Sequence, residues 1–137
     1  MSNPNALQRR GLWHIIGLIL VAVVWYLSLT SAPVRVDVPQ FDKVMHALAY
    51  FVQMFWYAQL YRNHKHKLLI AGVFIGMGIL IEYIQSFHPM RYLDIADMLA
   101  NSVGVGLAYM VSYTAFGYPL FWFDKKLSER QSSKNMI

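Results

Sequence analysis

The sequence predicts an all-α membrane protein, a bundle of four transmembrane helices with both termini in the cytoplasm. Of its 137 residues, 57% are hydrophobic and only 14% are charged, which is more apolar than a soluble domain of this size requires. The apolar residues form four stretches of roughly 20 residues, the length that crosses a hydrocarbon core of about 30 Å. The Lys and Arg residues collect on one side of these stretches, as they do in proteins oriented by the positive-inside rule.

The first predicted span covers about residues 12–30 and follows Arg9 and Arg10. The apolar region of a signal peptide has only about 7 to 15 residues, so we interpret this span as an uncleaved anchor. The other spans are predicted over about residues 43–61, 68–87 and 93–116. The chain then divides into a cytoplasmic N-terminus (1–11), a four-helix membrane domain (12–117), and an interfacial aromatic segment with a cytoplasmic tail (118–137). The polar tail after Leu127 is expected to be disordered.

Loop charge predicts the orientation of these spans. One side has a large positive excess, from Arg9, Arg10, Arg62, Lys65, Lys67, Lys125, Lys126, Arg130 and Lys134. On the other side acidic residues balance the basic ones, with Arg35, Lys43 and Arg91 against Asp37, Asp42 and Asp94. The basic side is therefore expected to face the cytoplasm, in a protein that crosses the bacterial inner (plasma) membrane several times.

Composition also excludes some kinds of chemistry. The chain contains no cysteine, so disulfides, thiolate metal sites and cysteine nucleophiles are excluded. The net charge of +5 is explained by topology and by anionic lipid, and no interleaving of aromatic and basic residues accompanies it. We therefore expect membrane lipid and no nucleic acid as a partner, and leave open whether the chain forms a homo-oligomer.

Polar residues recur at helical spacing on three of the predicted spans. They are Lys43, His46 and Tyr50 on the second, Glu82 and Gln85 on the third, and Asp94, Asp97 and Asn101 on the fourth. Given the predicted directions, residues at these spacings share one helix face and reach the outer end of the bundle. An ionised carboxylate facing hydrocarbon costs at least about 2.5 to 3.5 kcal/mol, so Glu82 and Asp97 should face the interior.

Small residues predict close packing of the helices around these polar faces. Gly72 and Gly76 form a GxxxG motif on the third span, and Ala100, Gly104 and Ala108 recur every four residues on the fourth. Such residues let helix backbones approach each other closely in membranes.

Three ordered motifs resemble the VanZ-like family of membrane proteins over about residues 40 to 107. They are Asp42-Lys43-x-x-His46-x-x-x-Tyr50, Glu82-x-x-Gln85-x-Phe87, and Arg91-x-x-Asp94-x-x-Asp97-x-x-x-Asn101-x-x-Gly104. The family takes its name from a protein associated with teicoplanin resistance, so the resemblance implies a link to glycopeptide resistance without a settled biochemical activity. Family members often have an acid directly before the motif glutamate, where this chain has Ile81, so a pair of adjacent carboxylates is not implied.

The candidate catalytic residues are His46, Glu82 and Asp97. An imidazole and a group of mutually repelling carboxylates can move protons near neutral pH. The same three residues could instead hold a divalent metal ion, or form an ion-pair network that only locks the helices together. The predicted substrate-binding residues are Lys43, Tyr50, Gln85, Arg91, Asp94 and Asn101, with Lys43 and Arg91 holding an anion.

The sequence is compatible with three functions and does not decide between an enzyme and a binding protein. The first is binding or modification of an anionic cell-envelope component, a lipid or lipid-linked precursor, at the outer membrane face. The second is a non-enzymatic partner of envelope-synthesis machinery, since Ser86 and Ser102 lack a recognisable triad. The third is a small ion-coupled or proton-coupled transporter, although no inverted repeat supports it.

Overall fold

The computed structural model describes residues 7–30, 40–89, 91–114, 116 and 118–134. Over these residues the regular secondary structure consists of helices without strands, which confirms the predicted all-α class. Five helices follow one another: α1 (Arg10–Leu29), α2 (Phe41–Leu60), α3 (His64–Gln85), α4 (Ile95–Val111) and α5 (Pro119–Lys134). The first four correspond to the four predicted spans. Arg35 and Asp37, which entered the prediction of orientation, lie outside the described residues.

Helix α2 lies at the centre of the bundle, in contact with each of the other four helices and most extensively with α4. The apolar core between them consists of Tyr50, Met54, Ala58, Ala71, Phe74, Val105 and Ala108. Two glutamines on α2, Gln53 and Gln59, are buried as well. A central helix can carry such polar groups through a membrane because neighbouring helices shield them from lipid.

Gly104 sets the distance between α2 and α4. A Cβ atom at this position would overlap the carbonyl oxygen of Ala47 on α2. One turn further along α4, Ala108 is completely buried. The predicted small-residue face of α4 is therefore where α2 packs, and close backbone approach is what small residues provide in such bundles.

The GxxxG motif of α3 does not pack against any of the described residues, so that part of the small-residue prediction was wrong. A Cβ atom added at Gly72 or Gly76 would meet nothing within 4 Å. The reason is the rotation of α3, which turns Ala71, Phe74 and Gly78 into the bundle instead. The motif faces outward.

The surface of the bundle is apolar while part of its interior is polar. Large apolar side chains such as Leu18, Leu69 and Leu99 are exposed, whereas Glu82 and Asn101 are buried. Among the described helices, α1 and α3 are long and apolar enough to cross a membrane, and α4 is a shorter apolar helix. An arrangement of this kind suits lipid as the surrounding solvent.

The C-terminal tail forms helix α5, so the expected disorder after Leu127 was wrong as far as Lys134. Two contacts that composition does not reveal dock this helix. The buried Asp124 accepts hydrogen bonds from the backbone N–H of Gln8 (2.6 Å) and the indole of Trp13 (2.9 Å). The backbone N–H of Leu120 donates to Gln59 on α2 (2.8 Å).

Lys67, interpreted from the sequence as a loop charge, is instead completely buried within α3. Its ammonium group donates to the carbonyl (3.0 Å) and hydroxyl (3.2 Å) oxygens of Ser112, and lies 4.5 Å from the centre of the Tyr113 ring. Hydrogen bonds and the negative face of an aromatic ring compensate the loss of water around a buried ammonium group. Lys67 therefore connects α3 to the end of α4.

We predict that Gly104→Ala lowers the free energy of unfolding by about 3 kcal/mol, because the new methyl group forces α2 and α4 apart. Gly106→Ala, where a Cβ atom meets nothing within 4 Å, is the matched control on the same helix. It should stabilise the protein by about 0.5 to 1 kcal/mol through helix propensity. Thermal unfolding in detergent measures both, and equal stability of the two variants would contradict the close approach.

Candidate functional site

The three predicted polar faces meet at one end of the bundle, where α2 and α4 begin and α3 ends. His46, Glu82 and Asp97 each offer one nitrogen or oxygen atom, and these atoms all lie within 4.8 Å of one another. Glu82 is only 1% exposed, while His46 and Asp97 have side chains that are 25% and 14% exposed. The group therefore extends from the protein interior toward the outside, and we call these three residues the His–carboxylate cluster.

Lys43 connects this cluster to the outer rim of the site. Its ammonium group lies 2.6 Å from Asp97 Oδ1, 2.7 Å from Asp94 Oδ2 and 3.1 Å from Asp42 Oδ2. All three of its donors thus have carboxylate partners. The ion pair with Asp97 is the most shielded of the three, and shielding from solvent makes such a pair matter more.

Asp94 is the N-cap residue of α4, directly before its first residue, Ile95. Its Oδ1 atom accepts a hydrogen bond of 2.8 Å from the backbone N–H of Ala96, which satisfies one of the free amides at the start of the helix. The hydrogen bond from Lys43 to the other oxygen holds the pKa of the Asp94 carboxyl below its usual range. Asp94 therefore stays ionised and keeps Lys43 over the start of α4.

His46 is held by one ring nitrogen and presents the other to Asp97. Nδ1 lies 3.2 Å from Oδ1 of Asn101, and Nε2 lies 3.6 Å from Oδ2 of Asp97. When Nδ1 carries the proton and donates a hydrogen bond to Asn101 Oδ1, the lone pair of Nε2 faces the carboxylates. The hydrogen bond to Asn101 thereby fixes one orientation of the imidazole ring.

Several buried polar atoms beside the cluster have no hydrogen-bond partner within the described part of the chain. They are Tyr50 Oη, Gln53 Oε1, Glu82 Oε1 and Asn101 Nδ2. A buried polar group without a partner costs about 1 to 3 kcal/mol, so water or a ligand is expected to supply the missing contacts. Gln53 was not among the predicted site residues, although its spacing of three from Tyr50 and seven from His46 places it on the same face of α2.

Arg91 and Gln85 donate to the last carbonyl groups of α1. Arg91 lies 2.8 Å from the carbonyl oxygen of Ser28 and 3.3 Å from that of Thr30, and Gln85 lies 2.6 Å from the Ser28 oxygen. Cations are favourable at helix C-termini, where carbonyl groups lack partners within the helix. Both residues thus tie α1 to the site, and their role in substrate binding stays a prediction.

The described residues at this end carry more negative than positive groups. There are four carboxyl groups, those of Asp42, Glu82, Asp94 and Asp97, against two permanent cations, Lys43 and Arg91. Because Lys43 is surrounded by three carboxylates, its charge is largely neutralised before any ligand arrives.

A helical bundle with an apolar surface and a polar, ionisable cluster at one end defines a class of small integral membrane proteins. The chain belongs to the VanZ/LLP1 family, whose model matches residues 5–117 and therefore most of the sequence. It is also similar to an uncharacterized protein of Schizosaccharomyces pombe, with 33% identity over 100 residues. That match covers 69% of this chain and 59% of the yeast protein, so the chain spans about three fifths of its relative's length. No solved structure matches the chain.

We predict that Lys43→Met lowers the free energy of unfolding by about 2 kcal/mol, because Asp97 is left without its cation in a shielded position. Asp42→Asn is the control, since the Asp42 side chain is 61% exposed and its ion pair should contribute less than about 1 kcal/mol. Adding Asp97→Asn to Lys43→Met should restore part of the loss, because the uncompensated charge is removed. Thermal unfolding of the four proteins measures these effects, and a Lys43→Met variant as stable as Asp42→Asn would contradict the argument.

Proposed function

We propose that helices α1 to α4 cross the bacterial inner (plasma) membrane, with both termini in the cytoplasm. The exposed apolar side chains of these helices support this proposal, as does the distribution of basic residues. Arg10 begins α1, Arg62 and Lys65 lie where α2 joins α3, and Lys125 lies on α5. All four lie at the end of the bundle opposite the His–carboxylate cluster, the end that the positive-inside rule assigns to the cytoplasm.

We propose further that the outer end binds a phosphate-bearing envelope component, a lipid or a lipid-linked precursor, and modifies it. The observation that carries the proposal is the placement of His46, Glu82 and Asp97 together at one end of a bundle whose surface is otherwise apolar. A lipid headgroup can reach this end while its acyl chains lie along the exposed faces of the helices. The partly exposed Lys43 and Asp94 form the rim on the outer side.

Within this proposal His46 acts as the general base. Its Nε2 atom removes a proton from a water molecule or ligand hydroxyl, and the Asp97 carboxylate 3.6 Å away stabilises the imidazolium that forms. Asn101 keeps the ring in the required orientation. Tyr50 and Asn101 each have a polar atom that has no hydrogen-bond partner among the described residues and can contact the ligand or water. Lys43 positions Asp97 through its hydrogen bond to Oδ1.

A second function, a non-enzymatic partner of envelope-synthesis machinery, is favoured by one observation. Lys43, Gln85 and Arg91 all have partners within the chain, so the polar residues also serve as a lock between helices. In either case the expected cellular effect is altered susceptibility to glycopeptides such as teicoplanin. The two functions differ in whether a chemically conservative change in the cluster abolishes that effect.

Two single-cysteine variants test the proposed topology. The chain has no native cysteine, so each variant carries one labelling site. Tyr92, between α3 and α4, is 90% exposed, and Glu129 is exposed on α5. In intact protoplasts a membrane-impermeant maleimide should label Tyr92→Cys and leave Glu129→Cys unlabelled until the membrane is permeabilised. Labelling of Glu129→Cys alone in intact protoplasts would contradict the proposed orientation.

We predict that the purified protein retains phosphatidylglycerol in preference to phosphatidylcholine, and that His46→Gln and Asp97→Asn each abolish turnover of the bound lipid. Native mass spectrometry in detergent measures bound lipid, and phosphate or headgroup release measures turnover. Lys65→Gln is the control for general attraction of anionic lipid, because Lys65 is exposed at the opposite end.

The cellular test uses the same variants in a glycopeptide-susceptible host. Loss of teicoplanin tolerance in a folded Asp97→Asn variant supports a modifying or binding site. Full tolerance in folded Asp97→Asn and His46→Gln variants would favour the non-enzymatic partner, and equal retention of both lipids by every variant would overturn the binding proposal.

A further inference from the structure

We propose that His46, Glu82 and Asp97 bind a divalent metal ion, and among Zn²⁺, Mn²⁺ and Mg²⁺ we expect Zn²⁺ to bind most tightly. One imidazole and two carboxylates are a donor set that suits Zn²⁺ or Mn²⁺, whereas Mg²⁺ and Ca²⁺ favour oxygen ligands alone. Three protein ligands leave at least one position open for water or a ligand oxygen, as in catalytic zinc sites.

The distances at the His–carboxylate cluster agree with this assignment. The three donor atoms lie within 4.8 Å of one another. Two metal–ligand bonds of about 2.1 Å span at most about 4.2 Å, so side-chain rotations that move these atoms by less than about 1 Å complete the site. The three residues come from α2, α3 and α4, so the ion would join the three helices that form the core.

Neighbouring residues orient two of the three ligands. His46 pairs through Nδ1 with Asn101, which leaves the Nε2 lone pair facing the carboxylates, and metal-bound histidines commonly use their second nitrogen in this way. Asp97 binds Lys43 through Oδ1, which leaves Oδ2 toward His46. Each of these ligands therefore has one atom held by the protein and one atom turned toward the same point.

The third ligand, Glu82, supplies an independent reason to expect a ligand here. It is 1% exposed, and its Oε1 atom has no hydrogen-bond partner among the described residues. Asn101 Nδ2 and Tyr50 Oη, which lie on the same inward faces, are also buried and have no partner in the part of the chain that the structure describes. A carboxylate oxygen buried without a partner is unfavourable, and a bound cation removes that penalty.

The ion also accounts for how a site with an excess of carboxylates can attract an anion. Lys43 is paired with three carboxylates, and both terminal nitrogens of Arg91 donate to backbone carbonyl groups, so less positive charge is available to a phosphate than two cations would otherwise supply. A divalent ion adds two positive charges and can bind a phosphoryl oxygen directly. This part of the inference rests on the proposed function, whereas binding of the ion itself does not. With the ion bound, the Nε2 lone pair of His46 is a metal ligand and cannot accept a proton, so a water molecule on the ion would replace His46 as the base.

The test is metal binding by the purified full-length protein in detergent, first treated with a chelator and then titrated with Zn²⁺, Mn²⁺ or Mg²⁺ alone. We expect one Zn²⁺ per chain by elemental analysis, a rise in Tm on Zn²⁺ addition, and at least tenfold weaker binding of Mg²⁺. His46→Gln, Glu82→Gln and Asp97→Asn should each weaken Zn²⁺ binding at least tenfold. Without metal, Glu82→Gln should be at least as stable as the wild type, which separates loss of a ligand from loss of the fold.

The matched control is His66→Gln, the same substitution at an exposed histidine at the opposite end of the bundle. Retention of Zn²⁺ by this variant supports the assignment, and loss of Zn²⁺ in it alone would show an adventitious surface site and overturn the proposal. The proposal would also be overturned if the wild type bound no Zn²⁺, or if the three cluster variants bound Zn²⁺ as tightly as the wild type. Metal binding and lipid retention are measured in separate experiments. A protein that retains lipid but binds no metal refutes only the metal site. A protein that binds metal but retains no lipid refutes only the proposed function.

Discussion

The contact between Gly104 of α4 and the backbone of Ala47 on α2 is the constraint on which the rest of the site depends. It allows the two helices to approach closely enough for Lys43 to reach both Asp94 and Asp97 and for His46 to reach Asn101. A larger side chain at this position would separate the two polar faces by more than a hydrogen bond can span. The small residue thus acts on chemistry that lies one to three helical turns away from it.

At the outer rim of the site the charges are paired, whereas in its interior some polar atoms lack hydrogen-bond partners among the described residues. Lys43 has carboxylate partners for each of its donors, whereas Glu82, Tyr50 and Asn101 each have a buried atom that no described residue contacts by a hydrogen bond. Stability alone would favour the opposite arrangement, because unpaired polar groups cost most where water is excluded. Proteins accept such a cost mainly where a ligand or a reaction compensates it, so the interior atoms are a better guide to function than the ion pairs.

Much of this arrangement could be predicted from the sequence, because helical spacing alone places Lys43, His46 and Tyr50 on one face and Asp94, Asp97 and Asn101 on another. What spacing cannot supply is the rotation of each helix about its own axis. For that reason Gly72 and Gly76 were assigned to packing although they face outward, and Lys67 was assigned to a loop although it is buried. The partners of Arg91 were also missed, since hydrogen bonds to backbone carbonyl groups leave no trace in side-chain patterns.

Helix α1 buries only Trp13 and Gly17, and its hydrogen bonds to the rest of the bundle lie near its two ends. At one end its partners are Gln85 and Arg91. At the other end the carbonyl of Trp13 accepts from the indole of Trp56 on α2, and the indole of Trp13 donates to Asp124, which follows it by 111 residues. During synthesis α1 can therefore join α2 at an early stage, whereas its bond to Asp124 forms only after α5 has been made. Docking of α5 is thus a late step that adds to contacts α1 already has.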